Sequence, residues 1–278
     1  MKLSIVTINR NNAEGLRKTI ESVVSQSFND FEYIVIDGAS TDGSVEVIKE
    51  YQDRITYWVS ELDSGVYQAM NKGIRKACGE YILMLNSGDF LVEKCVIEKV
   101  MPHMHDEDII QGNVIYHKNG FMMRNRGYGK SDISFIDVMD GLFLHQAMFC
   151  KKSVYCQYGC FDESYKKGSD TYFFVTALGL GNATFRYIDL DISDFDMNGI
   201  SSMQDPKWQQ IDKEEDARWY GEHVSFRLME LYHVAPKKMR LYDKLHRNKV
   251  IWNIVMLLVH ISEWFSPVSS KNRIEKIG

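Results

Sequence analysis

Ser60–Asp89 reads "SELDSGVYQAMNKGIRKACGEYILMLNSGD", and three elements follow one another in it. Gly65–Ala77 places Ala69, Ile74 and Ala77 at helical intervals. Glu80–Leu85, "EYILML", is a continuous apolar run of strand length, the signature of a strand covered on both faces. Asn86–Asp89, "NSGD", is turn chemistry that ends on a single acid. A lone carboxylate just past a buried strand is either an inexpensive turn residue or a ligand, and a divalent cation is the ligand it suits.

Working outward, the same alternation recurs. Leu3–Ile8 ("LSIVTI") reads as a strand, Leu16, Ile20, Val23 and Val24 as a helix, and Phe31–Asp37 ("FEYIVID") as a second strand. "GASTDGS" is a turn, in which Asp42 reads as a helix cap. Val45–Tyr51 suggests a short helix and Ile55–Ser60 a third strand. Four strands and three helices in about 90 residues predict an α/β fold with an open, mostly parallel, Rossmann-like sheet and helices on both faces. Ligands of such sheets sit outside the carboxyl ends of the strands. That rule gathers Thr7, Asn9, Asp37, Asp63 and Asn86–Asp89 along one edge.

Beyond Asp89 the pattern is mixed. "DIIQGNVIYH" and "GFMMRNRGY" predict a hairpin around "KNG", and His145–Lys152 another strand. A helix is expected from about Asp170, a late strand at "TFRYIDLDIS", and helix throughout from about Trp208. The expected division is a domain over 1–205, with a nucleotide-binding half (1–90) and an acceptor half (91–205), followed by a helical region over 206–278.

Composition excludes several classes. The net charge of −5 argues against nucleic acid as a partner. Neither GxGxxG after the first strand nor GxxxxGK[ST] occurs, which speaks against a dinucleotide enzyme or a P-loop NTPase. The five cysteines form no CxxC pair and read as reduced thiols. The apolar run at the N-terminus is too short for a signal peptide, so a cytoplasmic protein is expected. From Lys237 onward there are nine Lys/Arg against three Asp/Glu, which leaves 24 basic and 35 acidic residues in the rest. Val250–Phe265 follows the basic stretch and is too short and polar to span a bilayer. A packing helix, a homodimer helix and an interfacial helix over 237–265 against anionic lipid all remain open, the last placing the chain at the inner face of the membrane.

"SIVTINRN", "VIDGASTDGS", the Ser60–Asp89 stretch and "HQAMFCKKSVYCQYGCFDESYKKGSD" occur in that order. Together, over about residues 1–200, they resemble the inverting family 2 glycosyltransferases of GT-A fold. The resemblance implies transfer of a sugar from a nucleotide-diphosphate donor, UDP favoured, to the hydroxyl of a glycan or lipid-linked acceptor, with Mg²⁺ or Mn²⁺, in the synthesis of bacterial surface polysaccharide. It implies a nucleotide pocket lined by Thr7 and Asn9, base contact by Asp37, and Asp63 and Lys72 near the diphosphate. Asn86 and Ser87 fall beside the donor sugar, Asp89 on the metal, and His145 and Gln146 against substrate. Asp170 takes the place of the catalytic base, with a helix cap as its alternative reading. Asn86 and Gly88 stand where the family often has aspartates, so the cation is expected to arrive with the nucleotide. A nucleotide-sugar binding protein with impaired catalysis is the alternative function.

Overall fold

The structure, a computed structural model, describes residues 1–118, 121–133, 135–139, 143–195, 205–224 and 274–277. In chain order these form β1 (Leu3–Asn9), α1 (Ala13–Val24), β2 (Phe31–Asp37), α2 (Ser44–Glu50), β3 (Tyr57–Ser60), α3 (Val66–Lys76), β4 (Tyr81–Met84) and β5 (Phe90–Leu91). There follow α4 (Val96–Val100), β6 (Ile109–Lys118), β7 (Phe121–Asn125), α5 (Phe135–Met139), β8 (Met148–Lys151), α6 (Lys152–Tyr158), α7 (Ser169–Val175), β9 (Phe185–Asp194), α8 (Pro206–His223) and β10 (Ile274–Ile277).

The strands join in one sheet of order β10-β7-β6-β8-β4-β1-β2-β3, with β9 beside β6 and β5 beside β9. Its first half is parallel, as expected: β1 lies between β2 and β4, and β2 pairs β3. Its second half is largely antiparallel, because β6 and β7 form the expected hairpin and β8 returns against both β4 and β6. The sheet is therefore mixed, and apolar runs carry no sign of strand direction that would have announced it.

Every residue of β1 is buried. Leu3 and Ile5 join the core cluster that holds Leu16, Ile20 and Val23 of α1 and Val96, Ile97 and Val100 of α4. Val6, one residue out of phase, faces α3 on the other side. Helices thus cover both faces, which is why the strand reads as unbroken hydrophobe. The approach of α3 is close: a β-carbon on Gly73 would lie 2.2 Å from Val6 Cγ1, so only glycine fits at this contact.

Two expectations change. His145–Lys152 is not all strand, since His145–Ala147 form a 3₁₀ turn and the strand begins at Met148. That turn swings His145 off the sheet ladder. The C-terminal stretch is not helical to its end, because Ile274–Ile277 pairs antiparallel with β7 and extends the sheet. One compact unit comprises Met1–Asp212 with that last strand, and the other lies within Lys213–Asn272. Among the described residues no helix is long and apolar enough to cross a membrane. The stretch expected at a membrane or dimer surface, 237–265, lies outside the described residues.

Gly73→Ala should lower the unfolding free energy by about 1–3 kcal/mol through overpacking against Val6. Gly221→Ala in α8, where an added β-carbon meets nothing within 4 Å, should be neutral or stabilising. Urea midpoints of the two variants measure the difference.

Candidate functional site

The carboxyl ends of the parallel strands build the first part of the site. Asn9, Asp37 and Ser60 stand side by side in register on β1, β2 and β3. Asp37 is fully buried. Its Oδ1 accepts from Asn9 Nδ2 at 2.8 Å and Ser40 Oγ at 2.5 Å. Its Oδ2 accepts from the Ser40 amide at 2.9 Å and Ser60 Oγ at 2.6 Å. Ala39 adopts φ 56°, a left-handed conformation uncommon outside glycine, and this tight bend turns Ser40 back onto the carboxylate. Each oxygen already holds two donors, so Asp37 meets a ligand only if a serine hydroxyl rotates away. Asn9 Oδ1 is buried and accepts nothing.

Thr7 is placed inside the core. Its hydroxyl donates to the Leu85 carbonyl at 2.8 Å and lies 3.1 Å from the Tyr33 hydroxyl, with no exposed surface. Asp42 accepts from the amides of Ala13 and Ser44 and so ties the starts of α1 and α2, but the cap positions themselves are held by Asn12 and Gly43, not by Asp42 as its cap reading expected. Lys72 reaches back to the loop before its own helix, 2.6 Å from Asp63 and 2.7 Å from Glu61. Burial works against its charge, but the two carboxylates outweigh that and raise its pKa. Asp63 and Lys72 therefore come together, as a pair that neutralises itself.

The "NSGD" turn is held from below. Thr19 of α1 lies with its Oγ1 2.6 Å from the Asp89 carbonyl, and the Gly88 amide donates to that same Oγ1 at 3.0 Å. Gly88 supplies the positive φ of 106° that the bend needs. The Ser87 amide donates to the Ile8 carbonyl, and Asn12 Nδ2 donates to the Ser87 carbonyl. Immediately after Asp89 the chain enters β5, which β9 pins at Phe90↔Asp194 and Leu91↔Ser193. The turn is thus fixed at both ends before any ligand arrives.

Asp170, in the first turn of α7, is brought to this turn by His145. His145 Nδ1 lies 3.1 Å from Asp170 Oδ2, and its Nε2 lies 3.3 Å from Asn86 Nδ2. Tyr67 of α3 donates to Asp170 Oδ1 at 3.0 Å and also contacts the Lys167 carbonyl. The side chains of His145 and Asp170 keep 17% and 19% of their exposure, enough for a hydroxyl to reach them. Gln146 is buried beside His145. Gly168, not Asp170, occupies the cap position of α7, so the carboxylate is spent on the His145 and Tyr67 contacts instead.

Burial pushes the Asp170 carboxyl up, but the hydrogen bond and charge of His145, then Tyr67 and the Thr171 amide, hold it below 3.8. Burial likewise pushes His145 down, and the hydrogen bond and charge of Asp170, with the charge of Asp89, carry it above 6.5. Both shifts run in the direction that pairing of the two side chains favours.

The segment before Asp170 is anchored by a residue that the sequence reading passed over. Asn71 Nδ2 donates to the Phe161 carbonyl at 2.8 Å and to Glu163 Oε1 at 2.9 Å, and its Oδ1 accepts from the Phe161 amide at 3.1 Å. Tyr67 and Asn71 are four apart on α3, so one helix face holds the whole 161–170 segment. A polar Asn at a buried helical position was the signal available for this, since such a group needs partners. Thr19, Ser40 and Ser60 carried no comparable signal.

Among the described residues no three His, Cys, Asp or Glu side chains cluster as a metal site. The turn nevertheless offers two hard oxygens of the kind that Mg²⁺ and Mn²⁺ take: the Asp89 carboxylate and Asn86 Oδ1, which is buried and without a partner. They suit an ion whose other ligands come from a diphosphate and water.

The sequence pattern of glycosyl transferase family 2 matches residues 4–160, more than half of the chain. The chain belongs to that family. It is a glycosyltransferase, as the motifs implied, and the matched stretch stops short of Asp170. This glycosyltransferase is 28% identical over 208 residues to the uncharacterized glycosyltransferase MT1564 of Mycobacterium tuberculosis (strain CDC 1551 / Oshkosh), covering 73% of this chain and 78% of that protein. In structure it resembles S. aureus TarS 1-349 in complex with UDP-GlcNAc, with TM-score 0.61 and 18% identity over 70% of this chain and 58% of that one. It also resembles the mannosyltransferase PcManGT from Pyrobaculum calidifontis in complex with GDP-Man and Mn²⁺, with TM-score 0.56 and 13% identity, covering 80% of this chain and 64% of that one. At these identities the likeness is one of fold, and it supports the GT-A architecture.

The pairing of His145 with Asp170 sets an expected pH dependence. The stability from the raised His145 is fully present below about pH 6.5 and is lost as pH rises through its folded pKa; that from the lowered Asp170 is present above about pH 3.8 and is lost as pH falls through its folded pKa. Thermal unfolding of wild type and Asp170→Asn should therefore differ most between those limits, and the gap should narrow on either side. A gap independent of pH from 3 to 9 would show that the pair contributes no linked stability.

Proposed function

We propose that this glycosyltransferase moves a sugar from a nucleoside-diphosphate donor to an acceptor hydroxyl with inversion, and that Asp170 is the base. The observation that carries the reading is the Asp170–His145–Asn86 chain, which sets a partly exposed carboxylate against the turn at the end of β4. A single displacement needs that adjacency: the acceptor oxygen attacks the anomeric carbon as its proton passes to a carboxylate, and the bond to the diphosphate breaks with its electron pair leaving on the nucleotide. Asp170 is held ionised at neutral pH and is ready to accept. Asn9, Asp37 and Ser60 form the row proposed to receive the base of the nucleotide, and Ser87 with Asn86 the edge proposed for the sugar. Bound Mg²⁺ or Mn²⁺ supplies positive charge against the departing diphosphate, and Asp89 with Asn86 would hold it.

The ligands named with the two structural neighbours, UDP-GlcNAc and GDP-Man with Mn²⁺, support a nucleotide-sugar donor. A glycan or lipid-linked acceptor at the inner face of a bacterial membrane fits the basic stretch 237–249, where a surface contact is proposed. Asp170 and His145 stand paired and within reach of the turn that bears Asp89, an arrangement a base would need, and this counts against an impaired binding protein.

A thermal-shift panel of UDP-GlcNAc, other UDP-sugars and GDP-mannose, each with and without Mn²⁺, should yield a donor that stabilises the fold by mass action. With that donor, Asp170→Asn should lose about a hundredfold to ten-thousandfold in turnover while its thermal shift persists. Asp89→Ala should lose the Mn²⁺-dependent part of the shift. An Asp170→Asn enzyme as fast as wild type would remove the base, and an Mn²⁺ response unchanged in Asp89→Ala would remove the metal role.

A further inference from the structure

The phenol of Tyr67 has one hydrogen and two acceptors within reach, Asp170 Oδ1 at 3.0 Å and the Lys167 carbonyl. One hydrogen cannot serve both at once. The second acceptor is a backbone carbonyl two residues before Ser169, fixed by the start of α7, and it has no proton to give. Tyr67 itself is buried, and its ring packs against Phe161 with centroids 5.8 Å apart, so its oxygen is held between the two acceptors. Asn71, one turn further along α3, locks the Phe161 backbone and removes the remaining freedom of the segment.

We propose that Tyr67 is a positioning residue for the base, a hydroxyl rotor that holds Asp170 in both of its protonation states. While Asp170 is a carboxylate, Tyr67 O–H donates to Oδ1 and His145 holds Oδ2, so two anchors from two elements fix the carboxylate plane. When the acceptor hydroxyl gives up its proton, an O–H bond forms on Asp170 and the acceptor O–H bond breaks, its electron pair forming the new glycosidic bond. The neutral acid needs no donor at Oδ1. The phenol hydrogen then turns to the Lys167 carbonyl, and the phenol oxygen is free to accept from the acid. No proton is lost or gained by Tyr67 in either step. Burial, then the charge of Asp170, raises its pKa, so it stays a donor throughout.

The proposal rests on Asp170 being the base and adds a residue to that reading. The groups that face Asp170 are Tyr67 from α3, His145 from the 3₁₀ turn with Asp89 beyond it, the Thr171 amide of its own helix, and Tyr155 of α6, which is buried and stays neutral. Tyr67→Phe removes only the hydroxyl and keeps the ring against Phe161.

The test needs no donor. In the full chain labelled with ¹³C at aspartate Cγ, the Asp170 signal is assigned by its loss in Asp170→Asn, and its titration is followed in wild type and Tyr67→Phe. The bond that the phenol gives to the carboxylate is charge-assisted and outweighs the one it accepts from the neutral acid, so its removal should raise the Asp170 midpoint by about one pH unit. A midpoint that does not move in folded Tyr67→Phe overturns the proposal, because a merely space-filling phenol leaves it in place. If Tyr67→Phe does not fold, 3,5-difluorotyrosine at position 67 keeps the shape and donates more strongly. It should shift the midpoint down, and an unchanged midpoint overturns the proposal equally. The two readings separate cleanly: a fully active Asp170→Asn enzyme removes the base assignment, whereas an inactive one with an unmoved Tyr67→Phe midpoint removes only the rotor.

Discussion

A carboxylate withdrawn from water must be met by donors, and the placement of Asp170 follows from that requirement. Leaving such a charge unpaired costs about 3–5 kcal/mol, a large share of the stability of an ordinary domain. His145 and Tyr67 meet it, and each comes from a different part of the chain. The demand of one side chain thus draws together α3, the 3₁₀ turn before β8, and the start of α7. Asn71 then makes the arrangement rigid by closing the Phe161 backbone onto α3. The far nitrogen of His145 reaches Asn86, so the same interaction sets the distance between Asp170 and the turn that follows β4.

The ends of the parallel strands are organised on a different principle. Asp37 is satisfied four times over by Asn9, Ser40 and Ser60, which makes it a tie between three strand ends as well as a candidate ligand. The turn bearing Asp89 is shaped by Thr19 underneath and by β5 in front. Carrying one carboxylate instead of several, it holds its form without a cation to quench repulsion. That economy suits an ion delivered with its diphosphate, since Asp89 and Asn86 furnish only a minority of the ligands such an ion takes. Lys72, tied to Glu61 and Asp63, is a cation already spoken for in the unliganded protein.

The parallel half of the sheet was legible from the residues because burial on both faces writes itself as unbroken apolar runs, as in Leu3–Ile8 and Glu80–Leu85, and because the intervening helices show their period. The convergence of Asn9, Asp37 and Asn86–Asp89 followed from the rule that strand ends of such a sheet share one edge. Asp170 and His145 were legible only as a resemblance. Nothing in "KKGSD" or "LHQAM" announces that these residues meet, since the contact is made across 25 residues of chain by a turn and a helix start. Thr7 shows the limit of reading by position: it shares a face of β1 with Asn9 but lies two residues back from the strand end, and its hydroxyl serves Leu85 and Tyr33 within the core.

The sequence by itself determined the α/β alternation, the cleft at the strand ends and the acids available to it, because hydrophobic period and turn chemistry are local properties. Only the tertiary structure decided strand direction in the second half, the pairing of Asp170 with His145 and Tyr67, and the role of Asn71. Those depend on which distant groups can satisfy one another's hydrogen bonds once water is excluded, and no local pattern records that.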